Sequence, residues 1–240
     1  VYAMADDGTI GSLVSWHTAG ANAHHAVFTL NNDFMLVPYL GANLIQVYAF
    51  DETTGAITPK SSTALPAEKS GPRHVALHAN GKWLYAINET AGADSTTTVG
   101  TLDFLAVDQT AGTVASVATF DVPLPTGYTG AKNGSEIEIA PAGDLLFVSM
   151  RLDNKATGNL VSYRIDQTSG ALTLIEQESS RGVTPRQFSL SKDGSLLVVG
   201  NQNSNTIAVF RVDPATGDMT FASDRDVCAS PRFAKLAAVK

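Results

Sequence analysis

Apolar residues alternate with polar ones in short runs along the whole chain, a period of two that predicts strands rather than helices. The runs come in pairs around a tight turn: HAVFTL/FMLVPY, HVALHA/WLYAIN, EIEIAP/LLFVSM and QFSLSK/LLVVGN, turning at Asp33, Gly81, Gly143 and Gly194. A second turn series follows these pairs. Asp-x-x-x-Gly begins at Asp51, Asp108, Asp166 and Asp213, with spacings of 57, 58 and 47 residues. Each is preceded by an alternating strand (QVYAF, DFLAV, VSYRI, AVFRV) and followed by another strand start (AIT, TVA, ALT, DMT). The unit is a four-stranded antiparallel meander, and no stretch reads as a convincing helix. Meanders recurring every 40–60 residues or so predict an all-β fold, a β-propeller with one meander per blade.

Four blades are legible, over residues 24–65, 71–121, 134–180 and 184–226, in a single domain spanning 1–240. Residues 1–17 read as the outer two strands of an earlier blade, and 227–240 as a closing strand. Two polar stretches rich in Gly, Pro and Thr, 90–100 and 122–134, read as loops. They are either surface insertions or a lid over the channel mouth.

Composition narrows the function. The net charge of −7 gives no basic footprint for nucleic acid. Only 16% of residues are charged, so Ser, Thr, Asn and Gln supply much of the polar surface. Cys228 is the single cysteine, which rules out an intrachain disulfide and a cysteine-based zinc site and leaves the compartment open. No apolar run reaches the ~18 residues of a membrane span. An anionic substrate would need a local cluster of Arg or His against this acidic background.

The turns locate such a cluster. Eight residues before each inner turn stand His25, Arg73, Ser135 and Arg186; eight after stand Gly41, Glu89, Arg151 and Gln202. In an antiparallel hairpin both positions fall at the same open end. In a propeller the first strand of every blade lines the channel. His25, Arg73, Glu89, Arg151, Arg186 and Gln202, with Glu136 beside them, are therefore expected at one channel mouth. Guanidinium groups offer planar, two-donor contacts to carboxylate or phosphate, so an anion-binding pocket is expected. The alternative is purely structural: Glu89 pairing with Arg73 and Arg151 to staple blades together.

Other chemistry is sparse. G-x-S-x-G, G-x-G-x-x-G, P-loop and H-E-x-x-H patterns are absent. Neighbours on a strand face opposite ways, so His24 is expected to point away from His25, and His74 and His78 away from the Arg73 face. The Asp-x-x-x-Gly segments lack the further carboxylates of a calcium loop and read as turns. No metal or cofactor is expected.

The motifs HHAVF, VPYLGAN, GPRH with NE sixteen residues on, SEIEIAP, VSMR, TPRQFSLSKDG and VVGNQNSN, in this order, resemble the seven-bladed β-propeller lactonase family. That family holds propeller-type 6-phosphogluconolactonases and a carboxymuconate lactonizing enzyme. The resemblance implies a catalytic set of His25, Arg73, Glu89 and Arg151, with Arg186, Gln202 and Glu136 as substrate contacts. It implies a small anionic substrate and about two further N-terminal blades. Tyr39, Met150 and Ala23 depart from the pattern where relatives carry Asp, Asn and His. Three functions follow: hydrolysis of a sugar lactone, cyclisation of a carboxylated muconate, or a non-catalytic binding propeller. Glu89 between two arginines is expected to stay ionised, and His25, with an ordinary histidine pKa, to act as acid or base.

Overall fold

The computed structural model describes residues 1–18, 20–66, 71–89, 100–227 and 229–236. The loop expected over 90–100 lies outside these residues up to position 99, and so does Cys228. After a hairpin of β1 (Tyr2–Met4) and β2 (Ile10–Leu13), four four-stranded antiparallel meanders follow in chain order. The first is β3 (Val27–Phe28), β4 (Phe34–Tyr39), β5 (Leu44–Asp51) and β6 (Ala56–Ala64). The second is β7 (Pro72–Leu77), β8 (Trp83–Asn88), β9 (Thr101–Asp108) and β10 (Thr113–Asp121). The third is β11 (Gly134–Ile139), β12 (Leu145–Met150), β13 (Thr157–Ile165) and β14 (Leu172–Val183). The fourth is β15 (Pro185–Leu190), β16 (Leu196–Asn201), β17 (Thr206–Val212) and β18 (Met219–Asp226). The chain is an all-β propeller of about four and a half blades. Its one helical element among the described residues is a 3-10 turn at Leu40–Ala42.

The outer turns are built alike. In each, the Asp carboxylate accepts two amides from the turn, as Asp108 does from Thr110 and Ala111 at 2.9 Å each. The Gly amide then closes back on the Asp carbonyl, at 2.7–2.9 Å in all four. The glycine has a positive φ, which a side chain disfavours. At Gly170 space matters too, because a Cβ would fall 2.6 Å from Phe104 and 2.8 Å from Trp83 of the preceding blade. Gly170→Ala is expected to destabilise by about 2 kcal/mol or more, through strain and overpacking. Urea unfolding checks it, with turnover per folded molecule unchanged.

The inner turns carry their positive φ at Asn32, Gly81, Gly143 and Gly194. The first pivot is thus Asn32, one residue before the expected Asp33, since asparagine adopts the left-handed conformation more readily.

The core lies between blades. One cluster joins the first and second blades through Leu36, Val47, Leu84 and Leu105. A second joins the second and third through Tyr85, Leu102, Val148 and Tyr163. A third joins the third and fourth through Phe147, Leu160, Phe188 and Phe210. Val75 and Ile137 of the inner strands face these cores, leaving alternate positions for the channel. The loop over 122–133 is pinned: Val122 is buried, and Leu124 and Tyr128 pack on the second cluster. The expected closing strand does not form within 229–236. There the Ala234 amide donates to the Gln187 side chain at 2.6 Å and the Leu236 amide to Ser189 Oγ at 2.9 Å. Side chains of β15 take up those amides, so no backbone ladder builds.

Candidate active site

In every blade one backbone hydrogen bond ties the end of the second strand to the start of the first. Leu40 donates to Asn22 at 3.0 Å, Glu89 to Gly71 at 2.8 Å, Arg151 to Asn133 at 2.7 Å and Gln202 to Thr184 at 2.8 Å. Glu89, Arg151 and Gln202 are therefore equivalent positions at one mouth, as the spacing predicts. The inner strands enter there through an irregularity. The register slips between Pro72 and His74, between Gly134 and Ile137, and between Pro185 and Gln187. A bulge suspends strict alternation and re-aims the side chains it carries.

Two consequences correct the expectations. Arg73 and His74 both reach a cavity of about 610 Å³, although neighbours on a regular strand would diverge. With Asn32 as the first pivot, the register equivalent of Arg73, Ser135 and Arg186 is His24, and His25 matches His74, Glu136 and Gln187. Both His24 and His25 line the cavity. His78 behaves as expected, buried and bonded to the Gly143 carbonyl.

The charges meet at the mouth. Arg73 Nε lies 2.7 Å from Glu89 Oε2, and Arg151 Nη2 contacts Glu89 Oε1. These N–H groups are not aimed at the oxygens, so the contacts are ion pairs rather than directed hydrogen bonds. Arg73 Nε and Arg151 Nε and Nη2 stay buried without an aligned acceptor. Arg73 Nη1 donates to the Ser135 carbonyl at 2.6 Å, crossing to the next blade. Arg73 and Arg151 are only 2% and 5% exposed, so two buried cations share one carboxylate and the site is net positive. Burial pushes the Glu89 carboxyl up, but Arg151 and Arg73 together hold it below the usual carboxylate range. Burial, then Arg151, lowers Arg73 to about 10, still charged at neutral pH. Arg186 is half-buried beside this group. Burial, then Arg151, pulls it down. Gln202 joins no ion pair, and its Oε1 is buried without a hydrogen bond.

One residue further in, a belt crosses the blades. His25 stacks on His74 with ring centroids 4.5 Å apart. His74 Nδ1 lies 2.6 Å from Glu136 Oε1, and its Nε2 lies 3.2 Å from Arg73 Nη1. Arginine can only donate, so Nε2 accepts and the His74 proton sits on Nδ1, donated to Glu136. The Val75 amide donates to His25 Nδ1 at 3.3 Å, so a neutral His25 keeps its proton on Nε2. Burial, then His74, lowers His25 to about 4. Burial, then Arg73, lowers His24 to about 4 and His74 to about 3. The ordinary titration range expected of His25 therefore does not hold here. Burial raises Glu136, which is 6% exposed, to about 7.

The depressed imidazoles make a pH prediction. The folded pKa of His25 lies below its unfolded value of 6.5, so the unfolded chain takes the proton first on acidification. Stability is thus lost as pH falls from about 6.5 toward about 4. His25→Gln is expected to remove roughly 1–2 kcal/mol of that loss by pH 4.5, allowing for partial exposure. Urea unfolding of both proteins at pH 7 and 4.5 measures it.

Sequence reasoning missed His74 and Arg232. Arg232 lines the cavity with Lys235, and burial, opposed chiefly by the hydrogen bond from the Leu190 amide, raises Glu138 beside them to about 7. A signal for Arg232 exists: Pro-Arg recurs at 72–73, 185–186 and 231–232, and the residue before each (Gly71, Thr184, Ser230) has a φ near 60°. Among the described residues no three His, Cys, Asp or Glu side chains gather as a metal site would require.

Comparison with known proteins agrees with this architecture. The family model "Lactonase, 7-bladed beta-propeller" matches residues 4–235. A 6-phosphogluconolactonase of Formosa agariphila is 31% identical over 215 residues, covering 88% of this chain and 56% of that protein. One of Bacillus subtilis is 26% identical over 230 residues, covering 92% and 61%. The chain thus spans about three-fifths of the length of such relatives. The structure of a periplasmic gluconolactonase from Pseudomonas aeruginosa superposes with a TM-score of 0.79 at 25% identity, covering 95% of this chain and 63% of that one. A Lactobacillus plantarum protein superposes at 0.81 with 24% identity, covering 95% and 64%, which bears on the fold alone. With the meander repeat, the inner-strand bulges and a family match over almost its whole length, this chain belongs to the seven-bladed β-propeller lactonase family.

Proposed function

We propose that this protein hydrolyses a small anionic sugar lactone at the channel mouth. The observation that carries the proposal is the net-positive group of Arg73, Arg151 and Glu89, whose Arg73 lines, together with Arg186, a cavity of about 610 Å³. Hydrolysis turns a neutral carbonyl into an oxyanion. Buried, pre-oriented guanidinium donors stabilise that charge more than they stabilise the ground state. Arg73 and Arg151 are assigned to the anion and the developing oxyanion, and Arg186 and Gln202 to the rest of the substrate. Glu89 holds both guanidinium groups in place. His25, proton on Nε2, donates a hydrogen bond to the substrate. The names of the relatives in Formosa agariphila and Bacillus subtilis support 6-phosphogluconolactone as the first substrate to try.

The experiment is a panel of phosphorylated and plain sugar lactones, scored by acid release in the presence of a chelator. Hydrolysis above the spontaneous rate supports the proposal. Turnover of a carboxylated muconate with no lactone hydrolysis would replace it by cyclisation, and binding without turnover by a binding role.

A further inference from the structure

We infer that Glu136 is the base that takes the proton of the attacking water, with His74 as its positioning residue. The inference rests on the lactonase reading above and supplies the water-activating group that reading leaves open. Glu89 is a poor base because two cations hold it as a carboxylate. Neutral His25 is no base either, because its Nδ1 lone pair accepts the Val75 amide and only an N–H remains. Glu136 differs. Its Oε1 accepts both His74 Nδ1 at 2.6 Å and the Ile137 amide at 3.0 Å, which fixes the carboxylate plane. That leaves Oε2 as the proton-accepting atom, on a side chain that lines the cavity. The relay is directional: Arg73 can only donate to His74 Nε2, so the imidazole must present Nδ1–H to Glu136.

The charged and titratable groups that share the cavity with Glu136 are Arg73 and His74 from β7, His24 and His25 ahead of β3, Arg186 from β15, and Arg232 and Lys235 from the terminal segment, with Glu138 two residues along its own strand. Burial dominates these charges and raises its pKa to about 7, where a base is half-available at neutral pH. In the reaction, water oxygen bonds to the lactone carbonyl carbon while Oε2 takes one water proton. The carbonyl electron pair moves onto its oxygen, beside the guanidinium groups. On collapse the carbon–ring-oxygen bond breaks, and Oε2 returns the proton to that oxygen. One lactone and one water give one hydroxy acid, whose carboxyl then ionises.

Glu136→Gln, isosteric and still able to accept from His74, tests this on 6-phosphogluconolactone and gluconolactone. The expected result is a fall in kcat of about 100- to 10,000-fold, the usual range for a general base, with KM changed less than threefold. The limb of the pH–rate profile near 7 should vanish. His74→Gln should lower kcat by less and displace that limb, which a merely structural role would not do. Carbon-13 NMR of glutamate-labelled protein gives a readout independent of activity: two carboxyls titrating near 7, of which one is lost in Glu136→Gln and moved in His74→Gln. Glu138→Gln assigns the second raised carboxyl. A Glu136 that titrates below 5, or a folded Glu136→Gln variant with wild-type kcat, overturns the inference. If Glu136→Gln fails to fold, the wild-type titration with its His74→Gln shift decides. A wild type inactive on every lactone defeats the lactonase reading instead, and the carboxyl titration still reports on the pair.

Discussion

Arg73→Ala is expected to lower kcat/KM at least about 100-fold, the loss of one buried charge-stabilising contact of about 3 kcal/mol. It is also expected to lower the melting temperature, because Arg73 bridges two blades through the Ser135 carbonyl and pairs with Glu89. The two effects separate when turnover is expressed per folded molecule at a temperature well below unfolding. A staple would cost stability alone; a cradle costs both. Arg73→Lys should rescue little activity. A point ammonium cannot reach Glu89, Ser135 and the substrate from one planar group, nor hold His74 in its tautomer.

Glu89→Gln should have the largest effect on stability. It leaves Arg73 and Arg151, 2% and 5% exposed, without their shared counter-charge. Removing one member of a buried ion pair costs about 3–5 kcal/mol, and the lower end applies because the Glu89 side chain is 24% exposed. The sign of its pH dependence follows from the lowered Glu89 pKa. The wild-type stabilisation is present above the unfolded carboxylate pKa and is lost as pH falls through the folded value, so wild type and variant should converge in acid. Urea unfolding at pH 7 and pH 3 measures both. A variant as stable as wild type at pH 7 would mean that the two guanidinium groups find other partners.

The blade pattern was legible because the outer turns need the same two residues each time. An Asp supplies a carboxylate to two amides and a Gly supplies the positive φ, so Asp51 and Gly55 recur almost unchanged at Asp213 and Gly217. Most of the mouth was legible for a related reason. Eight residues on each side of an inner turn is a fixed strand length, and it brought out Arg73, Glu89, Arg151 and Arg186. His25 and Glu136 were brought out too, but not His74 or the belt the three form, because that belt depends on bulges. The slip between Pro72 and His74 carries no residue signature beyond the preceding Gly-Pro, and it overrides the alternation that set His74 aside. The pivot at Asn32 hid the equivalence of His24 with Arg73 in the same way, since Asn31, Asn32 and Asp33 are all turn-forming residues. The third Pro-Arg, at Arg232, was legible in principle as a repeat but stood apart from the hairpin pattern that framed the others.

The central claim is that the charged mouth converts an anionic lactone. It is tested most directly by following acid release from 6-phosphogluconolactone with the purified protein and its Arg73→Ala variant, at matched folded concentration and neutral pH. The account predicts release above the spontaneous rate in the wild type and a loss of about 100-fold or more in the variant. Equal release from both proteins, or none above the spontaneous rate from the wild type, would contradict it.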